Sequence, residues 1–353
     1  MDVLALYLPQ FHPIPENDDW WGRGFTEWTN VARARPLFRG HVQPHLPADL
    51  GFYDLRVPEA RQAQAELAAR HGVTGFCYWH YWFGGRRLLQ RPLEEVLATG
   101  APDFPFCVAW ANQTWSGIWH GSPGTVLVEQ TYPGPDDDAE HFAYLRPAFE
   151  DPRYITLAGR PVLFVYQPGD LPEPARFVER WQKMAHDAGL GGLYLVASLG
   201  ESEYRTPVED GFDASVSYRF PFVRTVGARI YEHLLAAGLS RGPRRYPYPD
   251  TLVEAPPPPG GGRHFPSVYP NWDNTPRLGR RGMVATGATP ERFGAQVRRA
   301  LELAAANPPG EQVVVIKSWN EWAEGNYLEP DDEFGLGRLE ALQREVAAVQ
   351  GRE

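Results

Sequence analysis

Several features that define whole classes of protein are scarce or missing in this sequence. The 353 residues include only 2 cysteines, Cys77 and Cys107, each in a strand-like run, so buried free thiols are expected rather than a disulfide. No stretch approaches the roughly 20 apolar residues of a membrane-spanning helix. Residues 1–12 lack the basic start and the small-residue cleavage site of a signal peptide. These absences predict a cytoplasmic protein with no membrane span.

Positive charge is also in deficit. The sequence has 34 Lys and Arg against 44 Asp and Glu, a net charge of −10, and no basic run that would form a phosphate-binding surface. No nucleic-acid partner is therefore expected. Aromatic residues, in contrast, reach 13% and include 12 Trp, so the role of these rings is the main question that the composition raises.

Short apolar runs alternate with helical patterns along the whole chain. The predicted strands are 3–7, 74–79, 105–111, 161–166, 193–198, 213–218, 265–269 and 313–318. The predicted helices are 58–71, 92–98, 136–149, 174–188, 226–237, 290–306 and 337–349. A repeat of about eight strand–helix units predicts an α/β fold, specifically a (β/α)₈ TIM barrel. Residues 1–353 are expected to form this barrel as a single domain. Little helix fits between residues 199 and 213, so the pattern is weakest there.

Three segments interrupt the strand–helix repeat. Residues 8–56 and 112–135 follow the first and third strands and are expected to form long loops around an aromatic-lined cleft. Residues 240–264 contain a PPPPGGG tract, which predicts a Pro/Gly-rich surface loop.

The aromatic residues concentrate after the predicted strands. Eleven of the 12 Trp lie in segments that follow a strand, and only Trp181 lies on a helix. A barrel of this type builds its active site from these segments. Rings interleaved with acids, amides and histidines suit a ligand with apolar ring faces and many hydroxyls, such as an oligosaccharide or polysaccharide. A nucleobase would also stack there, but no Gly-rich phosphate loop accompanies a strand-to-helix turn. Apolar cover for the barrel top is the alternative explanation.

The candidate site residues combine a glutamate pair with surrounding binding groups. The binding candidates are Tyr7, His12, Glu27, Trp28, Trp79, His80, Trp82, Asn112, Trp115, Tyr269, Trp272, Asp273, Arg277, Trp319, Asn320 and Trp322. The catalytic candidates, Glu321 and Glu324, follow the last strand and stand three residues apart. On a helical turn or a curling strand both can face one cavity, and nearby rings should raise one carboxyl pKa. Such a pair suits glycoside cleavage and makes the barrel a catalytic domain; two solvated loop acids are the alternative.

Three motifs resemble a known family. They are LYLPQFH through WWGRGFTEWTNV (6–31), WDNTPR (272–277) and WNEWAEG (319–325). Together they resemble the WbsX family of bacterial polysaccharide gene clusters, whose members are named as glycosyltransferases. That family is related in fold and motif to glycoside hydrolase family 99, the endo-α-mannosidases and endo-α-mannanases. The resemblance extends from Leu4 to about Leu342.

The resemblance implies a (β/α)₈ barrel, no essential cofactor and a retaining reaction. Glu321 would act as base on the sugar 2-hydroxyl, which closes onto the anomeric carbon as a 1,2-anhydro sugar. Glu324 would be the acid on the leaving oxygen and then the base for water, and Asn320 would hold the sugar or orient Glu321. One departure from the family pattern is Gln113, which stands where relatives commonly have an acid. The following residues, 116–118, also lack an expected basic pair, so contacts in this loop should differ.

Four functions remain open at this point. An endo-acting, retaining glycoside hydrolase leads, and a glycosyltransferase in O-antigen-like polysaccharide biosynthesis is second. The second would need a diphosphate site, yet no Asp-x-Asp-type pair stands in a strand–helix loop, and 136–138 reads as a helix start. A non-catalytic glycan-binding barrel is third. A metal hydrolase using His12, His80, His120 or Glu27 is fourth, and no metal is expected because helical His-x-x-x-His spacing is missing.

Four binding candidates have structural alternatives as well. Arg277 could bind an anionic sugar, or pair with Asp273 or a barrel acid. His12 and His80 could hydrogen-bond substrate or satisfy buried loop carbonyls. Glu27 could bind a hydroxyl or anchor its long loop.

Overall fold

Eight parallel strands form the centre of the computed structural model, which describes residues 1–117, 125–199, 206–218, 220, 222, 225–239, 241–253 and 261–351. The strands are β1 (Asp2–Tyr7), β2 (Gly75–Phe83), β3 (Phe106–Trp110), β4 (Arg160–Val165), β5 (Tyr194–Ser198), β6 (Ala214–Val216), β7 (Arg263–Phe265 and Ser267–Val268) and β8 (Val313–Ile316). All eight predicted strands are confirmed, and each pairs in parallel with its sequence neighbour. Strand β8 pairs with β1, which closes the barrel.

The seventh strand has two pieces because Pro266 interrupts it. Proline has no backbone N–H to donate, so the ladder breaks there. The first piece of β7 pairs with β6, and the second piece pairs with β8. Val315 donates its backbone N–H to the Pro266 carbonyl at 3.0 Å, which keeps the two pieces in one barrel wall.

Ten helices surround the barrel or lie in its loops within the described part of the chain. They are α1 (Pro15–Trp21), α2 (Glu27–Arg33), α3 (Pro58–Arg70), α4 (Arg91–Thr99), α5 (Pro135–Phe149), α6 (Pro174–Asp187), α7 (Val226–Ala236), α8 (Thr275–Leu278), α9 (Pro290–Ala304) and α10 (Gly337–Gln350). The seven predicted helices are confirmed, with ends within two residues of the prediction. Proline opens several of them, where its fixed φ suits a helix start and its missing N–H has no cost.

The predicted loop segments contain more regular structure than expected. Helices α1 and α2 lie in the segment after β1, and α8 lies in the segment after β7. Short strands outside the barrel are Arg86–Leu88, Trp115–Ser116, Val126–Val128, Thr156–Leu157, Arg244–Pro247, Met283–Thr286, Asn320–Glu321 and Asn326–Tyr327. Within the predicted surface loop 240–264, Arg244–Pro247 pairs in parallel with Met283–Thr286. Trp119, His120 and residues 254–260, which hold the Pro run, lie outside the described residues.

Strand β2 shows how the barrel sorts its side chains. Successive residues on a strand point to opposite faces. Cys77 faces Cys107 of β3, and both are buried free thiols, as predicted. Two residues on, Trp79 reaches Glu321 beyond β8, whereas the next residue, His80, points to the other face and contacts α5. This alternation decides which aromatic residues can reach the site.

No helix among the described residues is both long and apolar enough to cross a membrane.

Candidate active site

Both glutamates lie on a tight hairpin just beyond β8. The short strands Asn320–Glu321 and Asn326–Tyr327 pair antiparallel, and a 3₁₀ turn, Trp322–Glu324, joins them. Because the turn curls the chain, Glu321 and Glu324 face the same side, and their carboxyls hydrogen-bond to each other. The predicted convergence of the two acids is therefore present in the structure.

Gly325 makes this hairpin possible. Its φ is +59°, and a Cβ at this position would lie 2.7 Å from the backbone nitrogen of Asp273. A side chain is thus disfavoured both by the left-handed backbone and by the close approach. The same contact lets the Asp273 N–H donate to the Glu324 carbonyl at 2.6 Å, which ties the hairpin to the segment after β7.

Two cations and one indole surround the glutamate pair. The Lys317 ammonium lies 3.1 Å from Glu321 Oε2 and 3.7 Å from Glu324 Oε2. The Arg277 guanidinium lies 2.7 Å from Glu324 Oε1, and the Trp79 indole N–H donates to Glu321 Oε1 at 3.0 Å. Glu321 and Glu324 are only 6% and 5% exposed, so these charges interact with little solvent screening.

This environment separates the two glutamates in acidity. Burial would raise the pKa of Glu321, but Lys317, the hydrogen bond from Glu324 and Arg277 together lower it well below its usual value. Burial and the adjacent Glu321 charge raise the pKa of Glu324 to about 7, against the opposing effects of Arg277 and Lys317. Below a pH of about 7 the pair therefore holds one proton, on Glu324, as expected for like charges in contact.

Arg277 links the pair to the loop after β1. Its guanidinium lies 3.2 Å from Glu27 Oε2 as well as against Glu324, and 12% of its side chain is exposed. The sequence left open whether Arg277 binds a sugar, Asp273 or a barrel acid. In the structure it pairs with two barrel acids, Glu27 and Glu324. Asp273 instead accepts hydrogen bonds from His41 Nε2 and Gln43 Nε2, each at 2.7 Å.

Replacing Arg277 with Met should destabilise the protein. The substitution leaves Glu27 and Glu324 buried without their common cation, a loss on the order of 3 kcal/mol in the free energy of unfolding. Urea denaturation at pH 7 measures this loss, and Arg277→Lys is the charge-preserving control. An Arg277→Met midpoint equal to the wild-type midpoint would show that this ion pair does not stabilise the fold.

Several predicted aromatic residues do surround the pair. The Lys317 ammonium lies 5.5 Å from the centre of the Trp272 ring, and Tyr269 and Glu321 are close enough to influence each other's charge. Tyr81, which the sequence reasoning did not select, also faces the pair, and the Glu321 charge adds to burial in raising its pKa. It shares a strand face with Trp79, so the period of β2 could have identified it.

His80 and Trp82 point away from the pair because they occupy the other face of β2. The ring nitrogen Nε2 of His80 lies 2.8 Å from His141 Nε2 on α5. The Trp82 ring stacks on His141 and donates its N–H to Asp137 Oδ1 at 3.0 Å. The prediction placed both residues beside Trp79 without considering that successive side chains on a strand point to opposite faces. Substrate contact by His80 or Trp82 stays a prediction.

Two of the predicted residues hold the loop behind the hairpin. Asn320 is fully buried, accepts a hydrogen bond from the Leu8 N–H at 2.7 Å and donates to the Leu8 carbonyl at 3.1 Å. Its amide also donates to the Tyr53 hydroxyl at 3.3 Å, and the Trp28 indole donates to the Tyr53 carbonyl at 2.8 Å. These contacts fit the predicted orienting role of Asn320 better than direct sugar contact.

The segment after β3 is fastened in a similar way. Asn112 donates to the Gln167 carbonyl at 2.8 Å and accepts from its N–H at 2.7 Å, so it joins the ends of β3 and β4. Its amide also donates to the Tyr132 hydroxyl at 3.0 Å. Trp115 is half-buried and packs edge-on against Trp20.

The remaining two candidates are buried within the protein. His12 is 1% exposed, and burial lowers its pKa to about 4, although the nearby Asp54 opposes this. Trp319 is fully buried and packs against Phe76. Sugar contact by either residue stays a prediction.

Sequence reasoning missed a further buried carboxyl, Glu329. It accepts hydrogen bonds from the Trp322 indole at 2.6 Å, the Gln64 amide at 2.7 Å and the Tyr53 hydroxyl at 2.9 Å. Tyr7 joins the same network by donating to Gln64 Oε1 at 2.7 Å. Burial raises the pKa of Glu329 to about 7, although these hydrogen bonds lower it. Tyr7 and Trp322, predicted to bind substrate, thus belong to a buried network behind the pair.

The described residues contain no group of three or more His, Cys, Asp or Glu side chains with the arrangement of a metal site. Two of the predicted alternative metal ligands have other partners, since His80 contacts His141 and Glu27 contacts Arg277. Another of these predicted ligands, His120, lies outside the described residues.

The chain resembles known proteins along nearly its whole length. The family model described as Glycosyltransferase WbsX matches residues 3–342. Two curated relatives from Xanthomonas campestris pv. campestris, strains B100 and ATCC 33913, are called Uncharacterized protein WxcX. Each is 39% identical over 353 residues, covering 97% of this chain and 49% of the relative. The chain therefore spans about half the length of the curated relatives it matches.

Solved structures agree on the fold. A GH99 endo-alpha-mannosidase from Bacteroides thetaiotaomicron matches with a TM-score of 0.58 at 17% identity, over 99% of this chain and 97% of that one. A glycoside hydrolase-like protein matches with a TM-score of 0.62 at 14% identity, over 98% and 93%. At these identities the likeness shows a shared (β/α)₈ barrel.

Proposed function

The chain belongs to the family described as Glycosyltransferase WbsX, and from this premise we propose that it is a carbohydrate-active enzyme, a retaining, endo-acting glycoside hydrolase. Its proposed substrate is a bacterial polysaccharide or an α-mannoside-like glycan. The observation that carries the proposal is the buried carboxyl pair beyond β8, with Lys317 and Trp79 against Glu321 and Arg277 against Glu324. Against the effect of burial, Lys317 lowers the pKa of Glu321, whereas burial and the adjacent Glu321 charge raise the pKa of Glu324. Glycoside cleavage needs one ionised and one protonated group, and the barrel shared with GH99 enzymes supports the same conclusion.

In the proposed first step, Glu321 removes the proton of the sugar 2-hydroxyl while that oxygen attacks the anomeric carbon. The bond to the leaving oxygen breaks, Glu324 gives that oxygen its proton, and a 1,2-anhydro sugar forms. In the second step, Glu324 takes a proton from water, and the water oxygen opens the anhydro ring. The proton held by Glu321 then returns to the 2-oxygen. Two inversions at one carbon give net retention, and both carboxyls recover their initial states.

The contact between the two carboxyls has a consequence for substrate binding. Carboxyls that flank a sugar carbon in direct-attack retaining enzymes are about 5–5.5 Å apart, whereas Glu321 and Glu324 share a hydrogen bond. A sugar must therefore replace this hydrogen bond with contacts to its own 2-hydroxyl and leaving oxygen.

The pH dependence of cleavage should follow Glu324. Its pKa of about 7 means that kcat/KM falls roughly tenfold per pH unit above that value, because the ionised form cannot protonate the leaving oxygen. Glu321 has a lowered pKa and stays ionised well into acid, so the acid limb lies far below neutrality. A pH–rate profile at limiting substrate measures both limbs. A kcat/KM that climbs from pH 7 to 9 would contradict the acid role of Glu324.

The proposed function is tested by incubating the protein with bacterial polysaccharides and α-mannans. Release of new reducing ends together with a rapid fall in polymer length would establish endo-hydrolysis, and proton NMR of the first product would identify its anomer. The proposal fails for this substrate class if polymer length and reducing ends stay constant across the panel.

The family description itself favours a second candidate, a glycosyltransferase. A nucleotide sugar would need positive charge for its diphosphate, but Lys317 and Arg277 are both engaged by glutamates. Thermal-shift measurements with a set of nucleotide sugars distinguish the candidates. Strong stabilisation by one of them would favour transfer, whereas stabilisation by oligosaccharides alone favours hydrolysis.

A further inference from the structure

Lys317 is a buried cation at the centre of the candidate site, one residue beyond β8. It is only 6% exposed, and its ammonium contacts Glu321 and Glu324 and lies 5.5 Å from the centre of the Trp272 ring. A buried ammonium is costly unless opposite charges compensate it. Lys317 directly follows four buried apolar residues, Val313–Ile316, where another apolar residue would be expected. A charged residue at such a position therefore calls for a functional explanation.

Charge counting at the site shows what Lys317 changes. Three carboxyls, those of Glu27, Glu321 and Glu324, face two cations, Lys317 and Arg277. One proton on the carboxyls balances the charge. Without Lys317 only one cation remains, so the same three carboxyls would need a second proton to reach balance.

The geometry also shows where the single proton belongs. Both oxygens of Glu321 have a donor, since Trp79 donates to Oε1 and Lys317 to Oε2. Two donors suit an ionised carboxylate, which only accepts. Lys317 lies 3.1 Å from Glu321 but 3.7 Å from Glu324, so its field favours the ionised state of Glu321 more strongly. Arg277 lies 2.7 Å from Glu324 and favours its ionised state, but Arg277 shares its charge with Glu27.

We propose that Lys317 is a positioning residue that keeps Glu321 ionised and thereby places the single proton of the pair on Glu324. This inference rests on the proposed function, because it assigns the acid and the base of that reaction. The titratable groups that face the pair, Lys317 or Arg277 are Glu27 of α2, Tyr81 of β2, Tyr166 after β4, Tyr269 after β7, Arg277 of α8 and Lys317 itself. Tyr81 and Tyr269 have raised pKa values through burial and stay neutral. The other charges at the site are therefore Arg277 and Glu27, which form an ion pair with each other.

The test compares Lys317→Met with Lys317→Arg. In the Met variant the acid limb of the kcat/KM profile should rise by roughly one pH unit or more, since an opposite charge this close typically lowers a carboxyl pKa by about 1–3 units. The Arg variant keeps the charge and should keep the acid limb near its wild-type position. Equal acid limbs in the Met variant and the wild type would overturn the proposal.

A second readout does not depend on activity. Protein labelled with ¹³C at the glutamate carboxyl is titrated by NMR, and the Glu321→Gln and Glu324→Gln variants assign the two signals. Lys317→Met should move the Glu321 titration to higher pH; an unmoved titration overturns the role of Lys317 even if the enzyme is active. If both Gln variants cleave glycans at the wild-type rate, the proposed function fails, whatever the titration shows.

Discussion

Glu321→Gln is expected to lower kcat/KM for glycan cleavage by about 10³-fold, whatever the leaving group. An amide cannot accept the 2-hydroxyl proton, so the first step loses its base. Glu324→Gln is expected to lower kcat/KM as much on a natural glycan, because the first step loses its acid. On an aryl glycoside, whose leaving group needs no proton, the rate of the first step should recover. In the second step, azide, a nucleophile that needs no base, should then replace water. Initial rates on the two substrate types measure the difference.

Asp332→Asn provides the matched control for both variants. It makes the same carboxylate-to-amide change on an exposed residue in the same loop and should keep wild-type rates. Equal loss of activity on both substrate types in both glutamate variants would refute the separate acid and base roles. Full activity in both would remove the pair from the mechanism altogether.

Glu329→Ala should be the most destabilising single substitution behind the site. It leaves the donors of Trp322, Gln64 and Tyr53 buried without an acceptor, and a loss on the order of 4 kcal/mol in the free energy of unfolding is expected. Glu329→Gln keeps one acceptor oxygen, and a flip of the Gln64 amide could restore its partner. The Gln variant should therefore lose much less, as measured by urea denaturation.

The same residue should make stability depend on pH. The folded-state pKa of Glu329 is raised to about 7, so the neutral carboxyl is the form that the fold favours. Its contribution is complete below the unfolded value of about 4.5 and is lost as the pH rises through 7. Glu329→Gln should flatten the stability profile in that window. An identical profile in the Gln variant would show that Glu329 does not titrate there.

The barrel was predictable because strand and helix periods are local properties of the sequence. Apolar runs such as 313–316 become buried parallel strands, and residues 58–70 carry their own helix start and stop signals. The split of β7 at Pro266 follows from proline chemistry. Helices α1 and α2 were not predicted, because they are only seven residues long and lie in an aromatic-rich loop.

The candidate site was less predictable, because its contacts join residues that are distant in sequence. The spacing of Glu321 and Glu324 could be read directly, but the Arg277 pairing spans 250 residues to Glu27. Local reasoning also treated neighbours in sequence as partners, so His80 was grouped with Trp79 although the two side chains point to opposite faces of β2. A charged residue directly after an apolar strand was the available signal for Lys317.

The most direct test of the central claim compares reducing-end release from one cleaved glycan by the wild type and by the double variant Glu321→Gln/Glu324→Gln. Because two groups of one reaction act as a unit, the double variant should lose about as much as either single variant, roughly 10³-fold, and not the product of the two losses. Circular dichroism and the melting temperature confirm that the variant is folded. Release by the folded double variant at the wild-type rate would contradict the assignment of glycoside cleavage to this pair.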